Sequence, residues 1–80
     1  MNVDLGTVKK GSSISKEFTL PKIIKQSKAG CMSCTKATFN ENNLTITYKA
    51  VDSKGTWSKS VTVTFEDDTT EKIIFTVKVV

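Results

Sequence analysis

Histidine and arginine are both missing from this 80-residue chain. Without histidine the usual general base near neutral pH is absent. No Ser-His-Asp or Cys-His constellation is built within the chain, and histidine-containing zinc sites are excluded. Without arginine, bidentate recognition of guanine or phosphate is lost; all twelve positive charges are lysine. Leu and Ala number only three each, and there is one proline. No apolar run approaches the ~20 residues of a transmembrane helix. The opening residues MNVDLGTVKK hold no apolar segment behind a positive start, so secretion by a signal peptide is not expected. The length allows one domain, residues 1–80, with a single thin core.

What is abundant is β-branched. Val, Ile and Thr number 8, 6 and 12, so 26 of 80 residues favour strands. Period-two alternation dominates the pattern. Leu44, Ile46, Tyr48 and Ala50 share one face. Trp57, Val61, Val63 and Phe65 share another, with Lys59 among them. Ile73, Phe75, Val77 and Val79 form a third, and Ile74 falls on the polar side, where a neighbour is expected to cover it. Ile14, Phe18 and Leu20 alternate more weakly. Val3 and Leu5 open the chain, and Gly6 marks a bulge or bend. Lys22–Gln26 and Thr35–Phe39 read as short further pieces.

Turn chemistry separates these runs. Lys9–Ser12 and Asn40–Asn43 are tight connections, and a loop opens at Ser27–Gly30. Asp52–Gly55 and Glu66–Thr69 read as hairpin-like turns. The result is an all-β chain of about seven antiparallel strands at 8–12-residue spacing, the pattern of a single immunoglobulin-like β-sandwich. Its expected core holds Phe18, Phe39, Ile46, Tyr48, Trp57, Val63, Phe75 and Val77.

The opening DLGTVKKGSSISKEFTL resembles a Hydin-type (ASH-like) immunoglobulin-like domain. The chain is also similar to a bacterial family of unknown function with a cysteine pair after its third strand. That family continues through a strand like Gly55–Val63 and a terminal strand like Ile73–Val80. It usually spaces its cysteines by one residue, whereas Cys31-Met32-Ser33-Cys34 has two between. The resemblance implies an immunoglobulin-like fold and says little about activity.

Cys31 and Cys34 are the one chemical motif. A redox pair needs a helix N-terminus in a βαβ context, and no helix is expected there. A zinc site would obtain two of its four ligands from this chain, so it would have to be shared between chains. A disulfide would close a very small loop. In a reducing compartment both thiols are expected to stay reduced and without metal. Glu66-Asp67-Asp68 cannot all face one calcium ion, which needs 6–8 oxygens, so a solvated turn is expected. Tyr48 and Trp57 lie on apolar faces, which disfavours nucleic-acid stacking.

Charge is uneven. Residues 1–40 carry seven Lys against Asp4 and Glu17, a balance of +5; residues 41–80 carry five Lys against six acids, a balance of −1. Lys22, Lys25, Lys28 and Lys36 form a basic stretch without an acid, a candidate partner-facing loop. Taken together, the expected function is non-enzymatic and without cofactor, specific nucleic acid or membrane. Small immunoglobulin-like modules of this kind resemble auxiliary, or decoration, proteins of tailed-phage virions. The implied partner is then a major capsid protein or another virion component, and the implied location is the virion after synthesis in a host cytoplasm. A binding module of a bacterial cell-envelope protein is the alternative, and a metal-bridged oligomer through Cys31 and Cys34 a third reading.

Overall fold

In the computed structural model, residues 1–30 and 34–80 are described. Seven strands follow one another: β1 (Asn2–Val8), β2 (Ser13–Thr19), β3 (Ile24–Ala29), β4 (Thr35–Asn40), β5 (Asn43–Lys49), β6 (Gly55–Phe65) and β7 (Thr70–Val79). They form two sheets, one ordered β1-β7-β6-β3 and the other β2-β5-β4. All pairings are antiparallel except β1 with β7, which run parallel.

Alternation decides which side chains face inward. From β5, Leu44, Ile46 and Tyr48 are fully buried, and Ala50 follows them. From β6 and β7, Val61, Val63, Phe65, Ile73, Phe75, Val77 and Val79 meet them across one core. The Tyr48 ring stands edge-on to Phe75 at 6.2 Å, the favoured geometry for two aromatic quadrupoles. Thr, Ser and Lys occupy the outward positions between them, where the sheet meets water.

Both outer strands of the larger sheet contain an irregularity. In β1 the register slips between Asp4 and Gly6, and Gly6 takes φ +98°, which glycine adopts without steric cost. In β3 the slip falls between Ile24 and Gln26. Each bulge inserts one residue and reverses the inward–outward phase. Ile24 is buried before the second bulge; Ser27 and Ala29 are half-buried after it, while Gln26 and Lys28 point out. Ser27–Ala29 therefore belongs to a strand, contrary to the loop expected to open at Ser27–Gly30. Gly30 continues the ladder by donating its N–H to the Ser60 carbonyl at 2.8 Å.

The connections sort to the two ends. One end, here the hairpin end, holds the β4–β5 turn at Glu41–Asn42, the β6–β7 turn at Glu66–Thr69 and the β2–β3 connection. In the β6–β7 turn Asp68 adopts φ 66°, the left-handed position that follows a type I turn in short hairpins. The other end, the crossover end, holds the β1–β2 turn and the β5–β6 segment. Asp52–Gly55 is no hairpin turn, because β5 and β6 lie in different sheets.

The core differs from expectation at the edges. Phe39 has inward parity on β4 but is 41% exposed, near the hairpin end of an outer strand. Phe18 and Trp57 are only partly buried against the core. Ile74 stays 38% exposed and uncovered on the outer face of β7.

Candidate interaction surface

The lysines of the basic stretch are held differently. Lys22 reaches Asp67 at 2.9 Å and the Thr69 hydroxyl at 3.1 Å. Its ammonium also lies 5.6 Å from the Phe65 ring centroid, within reach of the ring's negative face. Lys25, the bulged residue of β3, reaches Asp68 at 2.8 Å. Both are therefore neutralised locally by the β6–β7 turn, and neither presents free positive charge as the sequence suggested. Their acids are committed as well. Asp67 accepts from the Thr69 hydroxyl and backbone N–H. The Thr69 hydrogen bonds, with that of Lys22, hold its carboxyl well below the usual carboxylate range.

Lys28 and Lys36 are different. Each is exposed, and neither has an ion-pair partner among the described residues. They flank a groove of about 330 Å³ along the side of the molecule where β3 and β4 lie next to each other, lined also by Ser27, Ala29, Thr35 and Ala37. Both strands are outermost in their sheets. Two hydrogen bonds cross the seam: the Ser27 hydroxyl donates to the Ala37 carbonyl of β4 at 3.1 Å, and the Ile24 N–H donates to the carbonyl of Glu41, in the turn after β4, at 2.7 Å. These contacts pair Ser27 with Ala37 and Ile24 with Glu41, so the two strands run in opposite directions and Lys28 and Lys36 stand at one level on opposite walls.

At the crossover end a second polar cluster is closed on itself. The Tyr48 hydroxyl donates to the Asp52 carboxylate, and Lys59 meets the same carboxylate at 3.3 Å. Lys59 also lies 5.4 Å from the Trp57 ring centroid, and the Trp57 indole N–H donates to the Ser53 carbonyl at 2.7 Å. Burial, reinforced by the Asp52 carboxylate, pushes the Tyr48 phenol up to about 12. The hydrogen bond from Tyr48, with Lys59, draws Asp52 below its ordinary value. A phenol held protonated and a carboxylate held ionised form a structural cap across the two sheets. Sequence reasoning missed this cluster, although Lys59 on an apolar face was its signal: a lysine pointing inward needs a counter-charge.

Cys34 is buried and disulfide-bonded, against the expectation of a reduced thiol; Cys31 lies outside the described residues. The zinc-sharing reading needs a thiolate at Cys34, and the disulfide removes it. Among the described residues no group of three or more Cys, Asp or Glu is placed to hold a metal ion. A second depression, of about 470 Å³, lies on the outer face of the larger sheet, beside Gly30, Ser60, Lys72 and Ile74. There Ile74 is paired on both sides, with Asn2 of β1 and Ser60 of β6. No family model matches this chain, and no curated protein matches it.

Proposed function

We propose that this chain is a non-enzymatic immunoglobulin-like module that docks on a larger protein assembly, and that the assembly is the capsid of a tailed phage. The strand order supports the immunoglobulin-type reading: β2-β5-β4 faces β1-β7-β6-β3, with sheet-to-sheet crossings between β1 and β2, β2 and β3, β3 and β4, and β5 and β6. The observation that carries the docking reading is the pair of outermost strands, β3 and β4, bordered by two lysines without ion-pair partners among the described residues. Meanwhile the strongest polar cluster, Tyr48–Asp52–Lys59, is consumed in holding the sheets together. The virion assignment comes from the sequence resemblance to small decoration modules.

The test is co-sedimentation of the purified chain with assembled capsid shells of tailed phages. Saturable binding at a fixed ratio to shell subunits is the expected result. Absence of binding to every shell or other virion component tried, together with turnover of a small molecule, overturns the reading. A mixed interface should lose part of its occupancy as salt shortens the ~8 Å screening length of physiological buffer, and keep the rest.

A further inference from the structure

We propose that the groove between β3 and β4 receives an extended, acidic polypeptide segment of the partner, hydrogen-bonded to the free edge of β3. This deepens the docking reading above and rests on it for the identity of the partner.

Three observations converge on this groove. The first is backbone supply. Gly30 is hydrogen-bonded to Ser60, and in an antiparallel pair such residues alternate with ones whose groups point away. Ser27 and Ala29 therefore turn their N–H and C=O groups from β6 toward the groove. They have no backbone partner among the described residues. An extended chain laid beside β3 satisfies them, as in strand addition to a sheet edge.

The second is charge. Of the four lysines in the basic stretch, the two that have no ion-pair partner among the described residues are the two that border this groove. Net charge is +4, so a second copy of the chain is repelled while an acidic segment is attracted. The third is geometry. Successive side chains of an extended segment point to opposite sides. Lys28 and Lys36 stand at one level on opposite walls, so two adjacent acids in the segment meet one lysine each. A shallow surface or a helix offers no such alternation.

Exposed lysine edges also protect a sheet from unwanted pairing. That role and the proposed one make opposite forecasts for an acidic strand, which protection repels only if the edge is sterically closed. The probe is an acetylated and amidated octapeptide of Thr and Val with two adjacent Glu at its centre. It is titrated into the isotope-labelled full chain and followed by amide NMR. The expected result is saturable binding, with the largest shifts at Ser27 and Ala29. Replacing the central Glu pair by Lys abolishes it, as does N-methylation of alternate peptide nitrogens. Lys28→Glu with Lys36→Glu weakens binding about tenfold, because two attractive exposed charges become repulsive ones. Lys9→Glu with Lys10→Glu, the same charge change at the crossover end, leaves it unchanged. Each variant's own amide spectrum reports that it is folded.

Shifts centred on the outer face of the larger sheet, equal weakening by both double variants, or no binding at millimolar peptide each overturn the proposal. Capsid binding that persists in the Lys28→Glu/Lys36→Glu variant would refute the groove and leave the docking function standing. Peptide binding at Ser27 and Ala29 without any capsid association would do the reverse.

Discussion

The two ends of the sandwich are both closed by lysine–aspartate pairs, and they close it differently. At the crossover end, Lys59 and Asp52 have side chains about one-fifth exposed (20% and 21%), and their partners are a buried phenol and an indole. At the hairpin end, Lys22–Asp67 and Lys25–Asp68 are at least 47% exposed throughout, and their partners are a turn and water. Distances of 2.8–3.3 Å are similar at the two ends. What differs is the solvent each pair has given up. Water screens the exposed pairs and competes for their charges, so they contribute little. The half-buried pair is held in place because removing one member strands the others.

That contrast sets an order of effects. The largest comes from Phe75, whose ring supports Tyr48 from below. Phe75→Ala should cost about 3–5 kcal/mol, close to the net stability of a domain this small. Urea denaturation should find the variant at the margin of folding, and a variant with unaltered cooperativity would show that the cap does not rest on this ring. Next is Asp52→Ala, which leaves the Tyr48 hydroxyl without its acceptor and Lys59 without its counter-charge. A loss of roughly 2–3 kcal/mol is expected. A change of midpoint no larger than that of a surface control would place the two ends on an equal footing.

A pH titration addresses the same cap without a mutation. The Tyr48 phenol titrates at about 12 in the folded chain, against about 10 when unfolded. The folded state therefore holds the proton more tightly. Its contribution is complete below pH ~10 and is lost as pH rises toward ~12, up to roughly 2–3 kcal/mol by linkage. Thermal melts between pH 9 and 12 should show a fall that Tyr48→Phe flattens relative to the parent. The smallest effect belongs to the hairpin end: Lys25→Ala should alter stability by no more than about 0.5 kcal/mol, and the difference should vanish in high salt. A salt-resistant loss above 1 kcal/mol would erase the distinction.

The same contrast separates what was legible in the sequence. The central strands β5, β6 and β7 read directly, because each keeps one inward phase from end to end: Leu44 to Ala50, Trp57 to Phe65, Ile73 to Val79. Of the two bulged strands, β1 announced its irregularity through Gly6, which marked a bulge or bend, whereas β3 read poorly because the bulge at Lys25 shifts the phase in mid-strand with no glycine to signal it. Ile24 and Ala29 then both face inward at a spacing that no single alternation allows, and Lys22–Gln26 looked like a strand followed by a loop. Parity also misled at Phe39, since it tells which way a side chain points and not whether anything stands opposite. The basic stretch was visible as composition, but its division into paired Lys22 and Lys25 and unpaired Lys28 and Lys36 was not. That division depends on the β6–β7 turn, more than forty residues away in sequence, folding back beside β3.

The parallel pairing of β1 with β7 has a mechanical meaning. The register runs from Asn2 beside Ile74 to Val8 beside Val79. Tension applied at Asn2 and Val79 pulls these neighbours in opposite directions along their shared length. The ladder is then loaded in shear, and its hydrogen bonds share the force and must yield together. Had the same two strands run antiparallel, the pull would have peeled them one bond at a time. A small domain of modest thermodynamic stability thus acquires a high barrier to being stretched, because resistance to force depends on a rate and on the direction of the load and not on the free energy of unfolding alone.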